Sequence, residues 1–423
     1  MVSLPAAYHS NQKGKARRRA IFRSARKEQS RPRQEKRNRQ RRRIVHVQVP
    51  HTPLMEEMKQ ERKYKLDTPL LLITIMLLIV GLISLLSASY PKGYYNAKIG
   101  PFYYFIRQFG MAMVGLLLMW IVSCFPYEKY RNYAFLLYGV STVLLVLVLT
   151  PLGTTLNRSQ RWLFGFQPSE IAKLAIIILF SLLASNKPDS VLRVRTLLCY
   201  AVLVAVYVGL LAKEPHMSAA MIIIIIAFAI LFVAGMHIGF LVPIGIAGAG
   251  IAVASYFLLG HVRDRLNVFF DPFSDPTDKG YQAVQSLIAI GSGGTFGLGL
   301  GQSRQKFLYL PEPMNDFIFS VICEELGFIG AALILILFAY FVYRGFSIAR
   351  RAADRFGCFV ATGITMQFAF QILLNLAVVS GLFPVTGASL PLFSYGGTAL
   401  VMQLLEIGIL LNISRHIPPS KKD

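Results

Sequence analysis

Long runs of apolar residues alternate with short polar segments along most of the chain. Residues 68–89 form such a run without a single charged side chain, and about 20 residues of this kind are enough to cross a bilayer as a helix. Helices are the expected form because the bilayer core offers no water to the backbone. The pattern predicts an all-α, polytopic membrane protein with ten transmembrane helices, at residues 68–89, 109–125, 132–151, 170–185, 196–212, 218–234, 237–260, 316–343, 356–382 and 394–413.

The longest polar segment precedes the first predicted span. Residues 1–66 hold 20 Lys and Arg against five Asp and Glu, and such a composition cannot bury enough apolar surface to fold. The positive-inside rule explains these charges without any ligand, and contact with anionic lipids is the alternative explanation. We therefore expect a disordered cytoplasmic tail and no nucleic-acid partner.

The distribution of basic residues also predicts the topology. An even number of spans places both termini on one side, and with the tail inside, 32 of the 44 Lys and Arg residues lie in inner segments. The outer loop 383–393 holds none. We expect both termini, including the short end 416–423, to be cytoplasmic, and one membrane domain over 67–415 with a large outer loop at 261–315.

Composition supports the same class of protein. Of 423 residues, 54% are apolar and 15% are charged, the net charge is +23 and the mean hydropathy is +0.52. Soluble domains carry about 25% charged residues, so an ordinary cytosolic protein is excluded. The four cysteines are widely spaced and form no CxxC pair, so the sequence indicates neither a zinc site nor a disulfide framework.

The loop at 261–315 has features of a folded segment. Residues 281–290 read as a short amphipathic helix, which we expect to fold back onto the outer mouth of the bundle. Gly291–Gly301 contains six glycines and is followed by Arg304 and Lys306. A glycine-rich backbone beside basic side chains can cradle a diphosphate, and flexible turns are the other interpretation.

Charged residues near the outer ends of predicted spans are the main candidates for chemistry. Asp316 opens span eight, where it either faces a water-filled cavity or caps the helix. Glu170 and Lys173 open span four as an i,i+3 pair that can neutralise itself, and Arg161 lies shortly before them. No broken-helix pair marks a binding site at mid-membrane depth.

Several longer motifs resemble those of the SEDS family (shape, elongation, division and sporulation), which includes FtsW, RodA and SpoVE. The resemblance covers about residues 67–415, and the chain ending resembles the FtsW/SpoVE branch more than RodA. The motifs are Gln167-Pro-Ser-Glu-Ile-Ala-Lys173, Gly280-Tyr-Gln-Ala-Val-Gln-Ser-Leu287, Gly301-Gln-Ser-Arg-Gln-Lys306, Tyr309-Leu-Pro-Glu312, Asp316-Phe-Ile-Phe319, Glu324-Glu-Leu-Gly327, Pro384-Val-Thr-Gly387 and Pro391-Leu-Phe-Ser-Tyr-Gly-Gly397. One departure concerns Pro215-His-Met-Ser-Ala219, where many members have Pro-Asp-Leu-Gly-Thr. Any role of that acid is therefore open here, and Glu214 and His216 are the candidates to substitute for it.

This resemblance implies a peptidoglycan glycosyltransferase that polymerises lipid II at the outer face of the bacterial cytoplasmic membrane, for cell division or cell shape. It also implies that Asp316 is essential, and an inverting transfer needs one such base. A lipid II flippase and a non-catalytic scaffold that recruits a transpeptidase are the alternatives. We expect Asp316 to be catalytic and the substrate to be bound by Arg161, Glu170, Lys173, Arg304, Lys306, Glu312 and Glu324.

The same resemblance implies partners for the protein. They are a single-span class B penicillin-binding protein, with the apolar faces of spans eight and nine as its docking surface, and divisome or elongasome components. A divalent cation, Mg or Mn, is an alternative source of positive charge for the departing diphosphate.

Overall fold

The computed structural model describes residues 66–96, 100–156, 159–186, 191, 193–214, 216–240, 280–307 and 309–417, together with scattered positions between 245 and 271. The chain divides into two units, Met1–Lys63 and Tyr64–Asp423, and the described residues all belong to the second. The predicted tail at 1–66, apart from Leu66, and the predicted end after Ile417 lie outside the described residues.

Helices account for most of the described chain, and one small hairpin interrupts them. The strands of the hairpin are β1 (Gly153–Leu156) and β2 (Ser159–Leu163), which pair antiparallel with a bulge after Thr154. The helices are α1 (Thr68–Tyr94), α2 (Tyr103–Cys124), α3 (Tyr130–Val148), α4 (Pro168–Asn186), α5 (Val194–Lys213), α6 (Met217–Val233), α7 (Tyr281–Ser292), α8 (Ile318–Arg351), α9 (Arg355–Val379) and α10 (Gly397–Arg415).

Three of these helices form the centre of the bundle. Helices α4, α9 and α10 bury most of their residues, whereas α2, α3 and α5 bury only a minority of theirs and expose several large apolar side chains. Helix α10 packs along α2, where Gly408 lies against the backbone of Met119 and leaves no room for a side chain. Such close approach at small residues drives helix association in lipid. The outer helices expose apolar side chains away from the bundle centre, and these faces are therefore lipid-facing.

The predicted spans are confirmed in kind but not in number. Eight described helices are long and apolar enough to cross a membrane, and α6 is a shorter apolar helix. Together they correspond to nine of the ten predicted spans. The remaining prediction, 237–260, falls mostly outside the described residues. The chain is a multi-pass membrane protein, and the hairpin is the exception to the all-α prediction.

Helix α8 is interrupted inside its membrane-spanning part. Gly327 has φ 64° and ψ −168°, a conformation that favours glycine, and a Cβ there would lie 2.2 Å from the backbone nitrogen of Gly297. The glycine-rich segment 293–301 packs into the break and exchanges backbone hydrogen bonds with it, from Leu298 N to Glu324 O (3.0 Å), Gly299 N to Glu325 O (3.0 Å), Phe328 N to Gly294 O (2.9 Å) and Ile329 N to Thr295 O (3.2 Å).

This interruption changes two interpretations of the sequence. The hydrophobic pattern contains no sign of a broken span, because the residues on both sides of Gly327 are helix formers. The amides of Leu298 and Gly299 are bonded to helix carbonyls, so these amides do not form the phosphate cradle. The glycines instead allow the backbone of segment 293–301 to approach the backbone of α8 closely. Non-helical backbone is tolerated at membrane depth where it is surrounded by protein, as it is here.

The predicted amphipathic helix of the loop is confirmed as α7. It packs against α8 and α9, and the Ser286 hydroxyl lies 2.7 Å from both Ser320 Oγ and the carbonyl oxygen of Val379. Buried polar groups in a membrane protein need such partners. The α7 part of the loop therefore folds back onto the bundle as expected from the sequence.

Segments predicted to lie on the inner side meet at one end of the bundle. The Tyr127 hydroxyl and the Arg131 guanidinium both donate to Asp354, which also caps α9 through Gly357 N. Asp67 at the start of α1 accepts from Arg344, and its backbone N–H donates to Ser414. Helix α10 ends here at Arg415 and begins at Gly397 near the opposite end, where the hairpin lies.

The side of the membrane on which each end of the bundle lies can be tested with reporter fusions. Reporter fusions after Ile44 and after Lys422 are expected to read cytoplasmic, and a tag near Thr277 is expected to read external, because Lys and Arg concentrate on the inner side. A C-terminal fusion that reads external would contradict this topology and the even span count behind it.

Candidate active site

A cavity of about 330 Å³ opens at the hairpin end of the bundle. It lies between the hairpin, the first turns of α4 and α6, and the connecting segments before α8 and α10. Five of the eight residues predicted to form the site line it, and His216 joins them. The charged and imidazole side chains of the lining are Arg161, Glu170, Lys173, His216, Glu312 and Asp316.

Asp316 and Arg161 reach the same point of this cavity. A Cβ built on Gly387 would lie 3.5 Å from Asp316 Oδ2 and 3.7 Å from Arg161 Nη1. Gly387 has φ +76°, so this backbone conformation disfavours any side chain that would fill the space. A carboxylate and a guanidinium thus both come close to one point of the cavity wall.

The position of Asp316 is fixed from α9. The Asn375 side-chain amide donates to the backbone oxygens of Asp316 and Ala388, each at 2.7 Å. One side chain therefore ties the segment that carries Asp316 to the segment that carries Gly387. The N-cap position of α8 is Phe317, so Asp316 lies one residue before the cap.

Arg161 is positioned by the hairpin, which sequence reasoning did not predict. The side-chain amide of Gln160 donates to the backbone oxygens of Thr150 (2.7 Å) and Gly153 (3.1 Å), which anchors β2 to the end of α3. From β2, Arg161 Nε donates to the backbone oxygen of Glu214 at 3.4 Å. The guanidinium is thereby held between the end of α5 and the cavity.

A buried ion pair forms the wall near α4. Lys173 Nζ lies 2.8 Å from Glu170 Oε2, and both side chains are almost fully buried. Glu406 on α10 interacts electrostatically with both residues and accepts a hydrogen bond of 2.7 Å from Gln367. Glu406 is not among the site residues predicted from the sequence, although an acidic residue within a predicted span is itself a signal of a functional or paired site.

Glu312 also lines the cavity. Its carboxylate accepts from Asn315 Nδ2 at 2.5 Å and lies 3.6 Å from Lys92 Nζ. Lys92 is near the end of α1, so this contact connects the cavity wall to the first helix. Both side chains of this pair are partly exposed, and such pairs contribute little to stability.

The other three predicted site residues belong to a second cluster beside the break in α8. Lys306 Nζ lies 2.7 Å from Glu325 Oε1 and 2.9 Å from Ser87 Oγ. Glu324 accepts from Ser303 Oγ (2.5 Å) and from the backbone N–H of Arg304 (2.9 Å), whose side chain is exposed. These contacts hold the segment after the glycines onto α8, and a substrate role for Arg304, Lys306 and Glu324 stays a prediction.

Burial and charge set the ionisation of two groups where α5 meets α6. Burial raises the pKa of Glu214 to about 8, and the nearby Arg161 opposes this rise. Burial lowers the pKa of His216 well below its ordinary value, and the positive charges of Arg161 and Lys173 lower it further. His216 is therefore a neutral imidazole at neutral pH.

A divalent cation finds a limited set of ligands in this cavity. Within the described ranges, no three His, Cys, Asp or Glu side chains come together as a metal cluster. Asp316 and Glu312 both line the cavity, and Mg²⁺ is commonly held by one or two carboxylates together with substrate phosphates. These two carboxylates therefore fit an ion that arrives with a diphosphate.

Comparison with known proteins identifies the family. A sequence model described as FTSW_RODA_SPOVE, cell cycle protein, matches residues 68–418. Stage V sporulation protein E of Bacillus subtilis is 39% identical over 84% of this chain and 98% of its own length. A probable peptidoglycan glycosyltransferase FtsW of Trichlorobacter lovleyi is 40% identical over 84% of this chain and 95% of its own length.

Solved structures show the same fold. A chain from a peptidoglycan synthase complex that coordinates polymerization and crosslinking superposes with a TM-score of 0.70 at 28% identity, over 83% of this chain and 98% of that chain. RodA of Thermus thermophilus superposes with a TM-score of 0.60 at 27% identity, over 84% and 98% of the two chains. On these matches, which extend over more than four fifths of its length, this chain belongs to the FtsW/RodA/SpoVE family.

Proposed function

We propose that this protein is a peptidoglycan glycosyltransferase that polymerises lipid II into glycan strands at the outer face of the cytoplasmic membrane. The observation that carries the proposal is the approach of Asp316 and Arg161 to one point of the cavity beside Gly387. A base and a cation close to one point of the cavity are what glycosyl transfer from a diphosphate requires. The names of the curated relatives support the same reaction class.

In this mechanism Asp316 acts as the general base. Its carboxylate takes the proton of the attacking sugar hydroxyl as the hydroxyl oxygen bonds to the anomeric carbon of the donor. The bond from that carbon to the diphosphate oxygen breaks, and the diphosphate leaves with the electron pair. One carboxylate is sufficient because the transfer inverts the anomeric centre in a single displacement.

Arg161 stabilises the charge that develops on the leaving diphosphate. A fixed guanidinium is suited to this role because it stays protonated and presents several N–H donors to phosphate oxygens. A divalent cation, when bound, would supply further positive charge there, and the oxygens of Asp316 and Glu312 are the groups that would hold it. Glu170 and Lys173 neutralise each other and shape the cavity wall.

A flippase is the rival function. Its expected signature is a broken helix that opens a polar site at mid-membrane depth. The break at Gly327 is filled by backbone from segment 293–301, and Glu324 and Glu325 are bonded to protein groups there. The charges of the cavity instead gather at one end of the bundle, which favours chemistry at a membrane surface.

Purified protein in proteoliposomes that contain lipid II distinguishes the two functions. The proposal predicts glycan strands on a gel, with no acceleration of lipid II movement between the leaflets. Accelerated movement of fluorescent lipid II without strand formation, measured with and without a transpeptidase partner, would overturn the proposal.

We further infer that a class B penicillin-binding protein docks on the lipid-facing surface of the bundle. The similarity to a chain from a peptidoglycan synthase complex supports this inference. The docking surface expected on spans eight and nine is restricted to α8, because α9 is mostly buried. Exposed apolar side chains follow one face of α8 at helical spacing, at Ile329, Leu333, Ile336, Tyr340 and Tyr343.

Co-purification with the cognate class B protein is expected to raise the polymerisation rate severalfold over the isolated protein. A charged residue at Leu333, as in Leu333→Glu, should remove this gain, because it places a charge in an apolar interface. The measurement is strand formation with and without the partner. Equal rates for isolated and paired protein would contradict the inference.

A further inference from the structure

His216 is a buried residue of the cavity that the mechanism does not use. It precedes the first turn of α6 and is only 6% exposed. Its side chain lines the cavity, and its Nδ1 atom is buried without a hydrogen-bond partner among the described residues. Buried polar atoms in folded proteins nearly always have a partner, so the unsatisfied Nδ1 atom marks a ring whose polar groups the described residues do not fully use.

The two ring nitrogens of His216 are not equivalent. Nδ1 is closed off from the cavity, which leaves the Nε2 edge of the ring as the one that faces it. A neutral imidazole carries one N–H, and a buried N–H without an acceptor costs more than a buried lone pair without a donor. The proton therefore resides on Nε2, and the ring offers a hydrogen-bond donor to the cavity.

The surroundings of His216 indicate which part of a substrate would meet this donor. Arg161 and Lys173 both act on His216 electrostatically, and their positive charges help to keep the ring neutral. Lys173 is paired with Glu170, and Arg161 is the cation that the proposed function assigns to the diphosphate. His216 therefore lies near the place where the proposed mechanism puts the phosphate groups.

We propose that the Nε2–H group of His216 donates a hydrogen bond to a phosphate oxygen of the prenyl diphosphate part of the substrate. This inference rests on the proposed function and deepens it, since it assigns a substrate contact to a residue outside the catalytic pair. A neutral donor beside Arg161 orients the diphosphate through a hydrogen bond, while Arg161 balances the negative charge of the diphosphate. His216 is then a substrate-binding residue whose loss weakens affinity more than the rate of the bound complex.

Binding measurements with purified protein in detergent test the proposal. The ligands are lipid II, undecaprenyl diphosphate, which lacks the sugars, and undecaprenol, which lacks both sugars and phosphates. His216→Leu removes the donor and is expected to weaken binding of both diphosphates by roughly tenfold or more, the effect of losing a hydrogen bond to a charged group. Binding of undecaprenol should not change.

Two amide variants serve as matched controls. His216→Gln places an amide near the position of Nε2 and should restore most of the affinity, whereas His216→Asn places it near Nδ1 and should not. Because both are polar and similar in size, this pair tests the proposal even where the Leu variant fails to fold. Equal affinity in the Gln and Asn variants would overturn it.

Other outcomes also count against the proposal. If lipid II binding weakens and undecaprenyl diphosphate binding does not, then His216 contacts the sugars, and the assignment to phosphate is wrong. Unchanged affinity for all three ligands in a folded His216→Leu variant would also contradict the proposal. None of these readouts uses turnover, so a wild-type protein that makes no glycan strands would refute the proposed function without deciding the role of His216.

Discussion

Replacing Asp316 by asparagine is expected to lower the rate of lipid II polymerisation by roughly a hundredfold or more, the scale of losing a general base. Asparagine has nearly the same size, but its amide cannot take a proton at neutral pH. The backbone oxygen that Asn375 binds is unaffected, and no helix cap is lost because Phe317 is the N-cap of α8. The measurement is strand formation by purified variants with matched unfolding temperatures.

Two other acids serve as controls for this variant. Glu312→Gln changes a carboxylate in the same cavity, and Glu324→Gln changes one in the second cluster. Smaller losses are expected from both, since neither carboxylate lies beside Arg161 at Gly387. A well-folded Asp316→Asn variant with a rate near that of the wild type would show that another group takes the proton.

Lys173→Met is expected to cause the largest loss of stability among single changes in the cavity. It leaves Glu170 and Glu406 in a buried site without their cation. Breaking a buried pair by removing one partner costs about 3–5 kcal/mol, because the remaining charge is uncompensated. Methionine keeps most of the side-chain volume, so packing changes add little. Thermal unfolding in detergent measures the effect.

A second substitution separates charge from packing. Lys173→Met combined with Glu170→Gln should recover part of the loss, because one of the uncompensated acids is removed. Lys92→Met is the matched control, since its partly exposed pair with Glu312 contributes about 0–1 kcal/mol. If the double variant is no more stable than Lys173→Met alone, the ion pair is not the source of the stability.

Most of the cavity residues could be predicted because the topology brings them together, whereas Glu312 was named from the family resemblance. Arg161, Glu170, Lys173, Glu312 and Asp316 all lie near span ends that the charge distribution assigns to one side. Once the spans are known, such residues share one end of the bundle, even when they are more than 150 positions apart in the chain. Their meeting in one cavity follows from the same argument.

The features that sequence reasoning missed depend on contacts between distant backbones. The break at Gly327 exists because segment 293–301 supplies hydrogen bonds to it, and no local pattern encodes that pairing. The separation of Lys306 and Glu324 from the cavity has the same cause, since both residues hold the inserted segment. The hairpin that carries Arg161 is too short to show a clear alternation of apolar and polar residues.

The most direct test of the central claim is to measure lipid II affinity and polymerisation rate on one preparation of Asp316→Asn. If Asp316 takes a proton during transfer, affinity should stay close to that of the wild type, while the rate falls by roughly a hundredfold or more. A rate near that of the wild type, or a rate that falls only in proportion to lost affinity, would contradict the account.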